Sequence, residues 1–210
     1  MAKSREEFFQ ESKEFIDTHI EESIEILNEI DKKTISDMIE IIRECQSTSS
    51  RIFFLGVGGS AGNCSHAVND FRKILGIESY AATDNVSELT ARVNDDGWET
   101  VFEEFLKTSR LTSSDLIFVF SVGGGSEEKN ISVNIVNALN YAKKCNTKIV
   151  GVVGRDGGHT KKIGDSVVVI PTVNEDSITP HTEAFHAVVW HLIVSHPKLK
   201  MKNTKWESTK

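Results

Sequence analysis

The 210-residue sequence contains few of the features that mark several common classes of protein. Its three cysteines, Cys45, Cys64 and Cys145, include no CxxC pair, which excludes a disulfide framework and a zinc ribbon. No apolar run approaches the roughly 20 residues that span a membrane, and the charged N-terminus is unlike a signal peptide. A net charge of -7 disfavours non-specific binding to nucleic acid. We therefore expect a cytoplasmic protein that binds neither membranes nor nucleic acid.

The composition is that of a globular domain preceded by a helical arm. Apolar residues make up 39% of the chain and charged residues 26%, and the length suits one sizeable core. Apolar residues recur at helical spacing over residues 5–47, and the polar segment 31–34 predicts a break into two helices. The predicted organisation is an N-terminal helical arm for oligomerisation at 1–50, one domain at 51–197 and a polar tail at 198–210.

Five short apolar runs follow the arm and alternate with helical patterns. This alternation predicts an α/β fold, in which a parallel sheet is covered by helices on both faces. Ligands bind at the carboxyl ends of the strands in such sheets, and these ends are rich in glycine here. The predicted strands are residues 51–57, 78–83, 116–122, 148–154 and 166–171.

Two glycine-rich loops that end in serine follow predicted strands, at 56–60 and 121–126. Glycine lets the backbone approach a ligand closely, and a helix after each loop adds a positive dipole end. The loops therefore predict a phosphate site with Ser60 and Ser126 as helix N-caps. The alternative is that glycine only relieves crowding at strand-to-helix turns. Glu127 and Glu128 would repel phosphate, so we expect them to be solvated charges in the first turn of the next helix.

Histidines and carboxylates supply candidate chemistry on two predicted helices. His66 and Asp70 are four residues apart after the first loop, which places them on one helix face, close enough to share a proton or a metal ion. The alternative is a surface hydrogen bond. The stretch HTEAFHAVVWH, at 181–191, is predicted to lie on a helix from about 180 to 196, with Thr179 as its N-cap.

Helical geometry limits which residues of that stretch share a site. Glu183 and His191 are about 80° apart around the helix but about 12 Å apart along it, so one metal ion cannot easily take both from the same helix. Either one of them is a packing residue, or two copies of the helix meet at each site, which predicts an oligomer. His186 is about 140° from His191 around the helix. His181 and His186 are predicted to be structural or surface residues.

The ordered motifs together resemble the SIS (sugar isomerase) domain family, and within it the sedoheptulose 7-phosphate isomerases, also called phosphoheptose isomerases. The resemblance covers most of the chain, and the ordered set with these spacings is more specific than any one motif. The motifs are the helical arm, GVGGS at 56–60, H-x-x-x-D at 66–70, NDDG at 94–97, SVGGGS at 121–126, VGRDGG at 153–158 and TEAFHAVVWH at 182–191.

The resemblance implies a single SIS domain in which a five-stranded parallel sheet is flanked by helices and preceded by the helical arm. It also implies a homotetramer with active sites between subunits. The implied reaction is an aldose–ketose isomerisation of a sugar phosphate, from sedoheptulose 7-phosphate to D-glycero-D-manno-heptose 7-phosphate, through an enediol. The implied cofactor is zinc, and residue-by-residue matching assigns its ligands to His66, Asp70, Glu183 and His191.

The resemblance assigns phosphate to the two loops, and an acidic residue beside the sugar matches Asp95. The loops depart from the family pattern, because Val57, Val122 and Gly123 stand where the family has polar side chains. An isomerase of another sugar phosphate and a non-catalytic phosphosugar-binding regulator therefore stay open as alternatives. The predicted substrate- and phosphate-binding residues are Gly58, Gly59, Ser60, Asn94, Asp95, Ser121, Gly123, Gly124, Ser126 and Glu183.

The resemblance further implies that Asp70 and His191 are the catalytic residues. Asp70 moves the proton between C1 and C2, and His191 exchanges a proton with the carbonyl or hydroxyl oxygen. Both metal-ligand carboxylates depart from the family, which has a glutamate in place of Asp70 and a glutamine in place of Glu183. If Asp70 binds zinc its basicity falls, and Glu183 then becomes an alternative base.

Overall fold

Five parallel strands form the sheet at the centre of the structure, a computed structural model that describes residues 5–205 and Thr209. Residues 1–4 of the predicted arm and residues 206–208 and 210 of the predicted tail lie outside the described residues. The strand order is β2-β1-β3-β4-β5, and every neighbouring pair is parallel, which confirms the predicted fold class. The strands are β1 (Ile52–Leu55), β2 (Ser79–Ala81), β3 (Leu116–Ser121), β4 (Lys148–Val153) and β5 (Ser166–Val169).

Eight helices and one short 3₁₀ turn are found among the described residues. Two helices precede β1, and the others connect the strands or follow β5. They are α1 (Arg5–Glu29), α2 (Lys32–Ser47), α3 (Gly59–Lys73), α4 (Val86–Asp96), α5 (Val101–Thr108), α6 (Val133–Lys144), α7 (Gly158–Ile163) and α8 (Ile178–Val194), and the 3₁₀ turn is Glu175–Ser177.

Strand β3 explains why the strands appear in the sequence as continuous apolar runs. Its side chains alternate between two cores, and all of them are buried. Phe118 and Phe120 pack on the face covered by α2, α3 and α8, while Ile117 and Val119 pack on the face covered by α5 and α6. Because both faces of the sheet are covered, every position of a central strand must be apolar.

The predicted arm contains two helices that differ in what they contact. Asp31 is the N-cap of α2, because its side chain accepts hydrogen bonds from the N–H groups of Lys33 and Thr34, and this confirms the predicted break. Helix α2 buries Met38 and other apolar side chains in the core beside the sheet. Helix α1 buries only its C-terminal end and exposes a row of large apolar side chains. These are Phe8, Phe9, Phe15, Ile16, Ile20, Ile24 and Leu27.

The starts of α3 and α6 correct the prediction that Ser60 and Ser126 are N-caps. Helix α3 is preceded by Gly58, whose φ of 62° turns the chain into the helix, and Ser60 lies inside the first turn. Helix α6 begins only at Val133. Residues 126–131 form a closed turn instead, in which the N–H of Ser126 donates to the carbonyl of Ile131 at 2.8 Å and the reverse bond is 2.9 Å long.

Helix α8 also begins earlier than predicted, at Ile178. The 3₁₀ turn Glu175–Ser177 already winds the chain, so Ser177 precedes the helix and Thr179 is not its N-cap. The helix ends at Val194, close to the predicted end. Across residues 5–205, no helix combines the length and the apolar character needed to cross a membrane.

Candidate functional site

A cavity of about 870 Å³ opens at the carboxyl ends of β1, β3 and β4. The parallel order of these strands places their carboxyl ends side by side. The cavity wall includes Ser60 from the first glycine loop and Ser121, Gly123 and Ser126 from the second. The structure therefore brings both predicted phosphate loops to one cavity, at the position where open α/β sheets bind ligands.

The start of α7 holds the second glycine loop in place. Gly124 and Gly125 have φ angles of 69° and 80°, a left-handed backbone that glycine adopts readily. Their carbonyls accept hydrogen bonds from the N–H groups of Thr160 at 2.9 Å and His159 at 2.8 Å. The N–H of Gly124 donates to Ser121 Oγ at 3.0 Å, so the Ser121 hydroxyl keeps its own proton to donate to a ligand.

Charged side chains that the sequence prediction did not assign also line this cavity. Arg155 and Lys162 come from the segment after β4 and from α7, and Lys129 comes from the closed turn. Glu127 and Glu128 are exposed, as predicted, but they lie in the closed turn and not in a helix. The VGRDGG motif was the available signal for Arg155, because it follows a predicted strand at the same edge of the sheet.

A second group of predicted site residues converges where α3 contacts α8. Asp70 Oδ2 lies 3.9 Å from His66 Nε2 and 4.0 Å from His191 Nε2. The three ligand atoms all lie within 4.8 Å of one another. Among the residues that the structure describes, these three do not belong to the wall of the cavity in a single chain.

Neighbouring groups fix the orientation of this cluster. His191 Nδ1 is 2.8 Å from the carbonyl of Ala187, which places the proton on Nδ1 and leaves Nε2 as the basic nitrogen facing Asp70. The amide of Asn69 donates to Asp70 Oδ1 at 2.8 Å, so Oδ2 is the oxygen directed at both histidines. The Trp190 ring stacks on His191, with centroids 3.5 Å apart.

The donor set of this cluster fits a divalent metal ion. Two imidazole nitrogens and one carboxylate oxygen are common zinc ligands, each about 2.0–2.2 Å from the ion, so two ligand atoms lie at most about 4.4 Å apart. The separations of 3.9 and 4.0 Å are too long for hydrogen bonds and within that limit. His66, Asp70 and His191 therefore could hold a metal ion after a small closure.

Glu183, the fourth predicted zinc ligand, lies apart from the other three. Its carboxylate packs against Gly59 at the start of α3, so closely that a methyl group on Gly59 would overlap it. The Asn63 side chain joins the two helices, because its amide donates to the backbone carbonyl of Glu183 at 3.1 Å. This separation follows from the two helical turns between Glu183 and His191. Glu183 instead lies beside the first phosphate loop.

Asn94 and Asp95 are not brought to the cavity within one chain. Both are exposed near the end of α4, where the Asn94 amide donates to Asp95 Oδ1 at 2.7 Å. Asn94 lines a separate shallow depression with Val93 and Trp98. Their placement beside the sugar therefore stays a prediction from the resemblance.

A sequence profile that describes the SIS domain matches residues 15–154. The chain belongs to the SIS domain family. The phosphoheptose isomerase of Sulfurimonas denitrificans is 31% identical over 191 residues, which cover 86% of this chain and 92% of the relative. That of Clostridium acetobutylicum is 29% identical over 193 residues, with the same coverage. The solved phosphoheptose isomerase of Neisseria gonorrhoeae has a TM-score of 0.75 at 23% identity over 87% of this chain and 97% of that chain.

The remaining histidines of α8 have structural surroundings in this SIS domain. His186 is fully buried against Phe120, and burial lowers its pKa to about 3. His181 is buried on the side of α8 that faces α1. Outside α8, burial also lowers the pKa of His159, which lines the cavity and whose Nε2 lies 2.8 Å from Asn140 Oδ1. His181 and His186 therefore take the structural roles predicted for them.

Proposed function

We propose that this SIS domain protein is an aldose–ketose isomerase that converts sedoheptulose 7-phosphate to D-glycero-D-manno-heptose 7-phosphate. The convergence of His66, Asp70 and His191 carries the proposal, because it supplies an acid, a base and candidate metal ligands at one point. Relatives named phosphoheptose isomerase, at 29–31% identity over most of the chain, support the same reaction.

The phosphate of the substrate binds at the two glycine loops. Ser60 and Ser126 offer hydroxyl groups there, and the first-turn N–H groups of α3 add a positive dipole end. His66 is six residues after Ser60 on α3, which is about 9 Å along the helix axis. A seven-carbon sugar phosphate anchored at Ser60 therefore extends along α3 towards the cluster.

The cluster residues move the protons of the isomerisation. A carboxylate removes the proton from C2 of the aldose or C1 of the ketose and returns it to the other carbon through an enediol. His191 Nε2 is the basic nitrogen of its ring, so it accepts the proton of the hydroxyl oxygen and returns it to the carbonyl oxygen. Trp190 stacked on His191 keeps the ring in this orientation.

His66, Asp70 and His191 are proposed to hold a zinc ion. Glu183, which the family pattern assigns as the fourth ligand, lies apart from them within one chain and would have to come from a second copy of α8. When bound there, zinc would polarise the sugar oxygens as a Lewis acid. A bound Asp70 carboxylate is a weaker base, and Glu183 beside Gly59 is then the carboxylate nearer the phosphate end of the sugar. The two assignments of the base make different predictions for single substitutions.

The test uses NMR to monitor exchange of the substrate's carbon-bound proton with deuterated water. The protein is incubated with sedoheptulose 7-phosphate, once with zinc and once with a chelator. We expect a new aldose signal and deuterium at C2. Exchange that survives in Asp70→Asn excludes Asp70 as the base, and exchange that survives in Glu183→Gln excludes Glu183. Asp37→Asn, which removes an exposed carboxylate on α2 that is paired with Lys33, is the matched control.

Binding of the sugar phosphate without exchange in any metal state would overturn the isomerase assignment and indicate a phosphosugar-binding regulator. Full activity of both Asp70→Asn and Glu183→Gln would overturn the carboxylate mechanism. Dependence of exchange on added zinc would support the proposed metal site.

A second candidate is the isomerisation of a different sugar phosphate by the same chemistry. The closed turn 126–131 favours it, because this turn places Glu127, Glu128 and Lys129 in the cavity wall. Val122 offers no hydroxyl to the sugar at the same wall. Side-by-side turnover of five-, seven- and eight-carbon ketose phosphates separates the two candidates, because the preferred substrate has the highest kcat/KM.

We also propose that the chain forms a homotetramer with active sites between subunits, and that it works in the cytoplasm. The exposed apolar row of α1 and the distance of Asn94 and Asp95 from the cavity support an oligomer, since a second copy would cover the row and bring these residues to a site. Three free cysteines support a reducing compartment. Sedimentation equilibrium of the full chain tests the assembly, and a monomeric mass would contradict it.

A further inference from the structure

A second group of metal-ligand side chains lies on the opposite side of α8 from the candidate active site. It contains His19 and Glu22 of α1 and His181 of α8, whose ligand atoms all lie within 4.8 Å of one another. His181 and Glu183 are two residues apart, which separates them by about 200° around the helix. The group therefore belongs to the contact between α1 and α8, and the proposed isomerase chemistry does not use it.

The group occupies the face by which α1 contacts the domain. His19, Glu22 and Ile26 are three and four residues apart, so they lie on one face of α1. Ile26 is fully buried in the core, and Glu22 is partly buried. Most of the exposed apolar row of α1 lies on a different face, whereas Phe15 lies four residues before His19 and stacks on its ring, with centroids 6.2 Å apart. His19 and Glu22 therefore bring polar ligand atoms to the face of α1 on which Ile26 packs.

The Glu22 carboxylate is held between two hydrogen-bond partners. Its Oε2 lies 2.7 Å from His181 Nε2, and its Oε1 accepts a hydrogen bond from the Asn174 amide at 2.5 Å. The side chains of His181 and Glu22 are only 4% and 11% exposed. The hydrogen bond from His181 is the main cause of the lowered pKa of Glu22.

His19 adds a third ligand side chain beside the ion pair of Glu22 and His181. Its ring stacks on that of His181, with centroids 4.3 Å apart and planes 17° apart. A divalent cation would accept a lone pair from one nitrogen of each ring and from the Glu22 carboxylate.

We propose that His19, Glu22 and His181 form a second divalent-metal site, of the kind that zinc occupies, and that the bound metal fastens α1 to α8. Two imidazole nitrogens and one carboxylate oxygen are a common zinc donor set, and Asn174 orients the carboxylate from the outer shell. Ligand atoms around a tetrahedral zinc ion lie about 3.4 Å apart, so on binding Glu22 and His181 move slightly apart from 2.7 Å and His19 closes in on them. The His19 ring is only partly buried and can turn to make this closure.

The test counts metal in the full chain after the first cluster is removed. The His66→Gln/His191→Gln chain is loaded with Zn²⁺, passed over a chelating resin and analysed for zinc per chain. We expect about one Zn²⁺ per chain, and loss of that ion when His19→Gln is added. His196→Gln added to the same background is the matched control, because His196 lies outside both clusters. Replacing Zn²⁺ by Co²⁺ gives a visible absorption band that follows the same pattern.

Absence of zinc from the His66→Gln/His191→Gln chain would overturn the proposal, and so would retention of zinc after His19→Gln. In that case Glu22 and His181 form a metal-free ion pair. Near-UV circular dichroism checks that each chain is folded, and Zn²⁺ raises the unfolding temperature only where His19 is present. Isomerase activity plays no part in this readout, so the outcome is separate from that of the proposed function.

Discussion

Replacing the buried His186 by leucine is expected to flatten the acid side of the stability profile. His186 is fully buried beneath the second glycine loop, and neither ring nitrogen has a well-formed hydrogen bond among the described residues. Burial is the main cause that lowers its pKa from 6.5 to about 3, although the backbone groups of Val152 and Ser121 partly oppose this. The folded protein therefore holds this ring neutral, while the unfolded chain protonates it near its ordinary pKa.

The sign and size of the effect follow from linkage. Between about pH 6.5 and pH 3 the unfolded chain binds one more proton at His186 than the folded protein does, so stability falls as the pH falls through this window. From pH 7.5 to pH 4.5 this proton uptake lowers the free energy of unfolding by about 2.5 kcal/mol. The full difference between the two pKa values corresponds to about 5 kcal/mol, which is reached only below pH 3. Leucine has no proton to bind, so this part of the loss disappears.

Urea unfolding of the two chains at matched concentration, at several pH values from 7.5 to 4.5, measures the effect. Other groups titrate in both chains and cancel in the difference between the profiles. We expect the difference to grow by about 2.5 kcal/mol over this range. A His196→Leu chain controls for the loss of a histidine outside the core. Parallel profiles for wild type and His186→Leu would refute the reasoning, because they would mean that the folded protein protonates His186 readily.

Two further substitutions test local contacts. Gly59→Ala is expected to displace the Glu183 carboxylate and lower kcat/KM about 10-fold, which steady-state kinetics measures, since a misplaced site group commonly costs this much or more. Gly62→Ala, which meets open space on the same helix, is the control, and equal activity of both chains would contradict the contact. Asp31→Ala is expected to lower the free energy of unfolding by about 1 kcal/mol in urea, because α2 loses its N-cap. An unchanged midpoint would contradict this role.

The strands could be predicted because their signal is local. The central strands β1 and β3 are apolar runs that are buried on both faces, so they can be recognised without knowledge of the strands beside them. The start of α6 could not be predicted in the same way. A glycine loop followed by Glu127 and Glu128 has the same local pattern as a helix start with acidic first-turn residues. The bonds between Ser126 and Ile131 that close the turn instead have no distinct sequence signal.

The candidate site also has a part that local sequence spacing predicts and a part that depends on tertiary contacts. His66 and Asp70 were predictable as a pair, because spacing within one helix decides their proximity. The approach of His191 depends on how α3 crosses α8, which sequence spacing does not determine. Arg155 entered the cavity wall because the carboxyl end of β4 lies beside that of β3. The VGRDGG motif is visible in the sequence, but its distance from the serines of the two glycine loops is not.

The histidines of α8 have different roles because this helix contacts several neighbouring elements. His181, His186 and His191 are five residues apart in turn, so each is about 140° around the axis from the next. They consequently face three different neighbours, which are α1, the sheet and α3. The same side chain accordingly serves as a partner of a carboxylate, as a neutral core ring and as a candidate catalytic base. The environment of each histidine, and not their density in the sequence, decides which of them does chemistry.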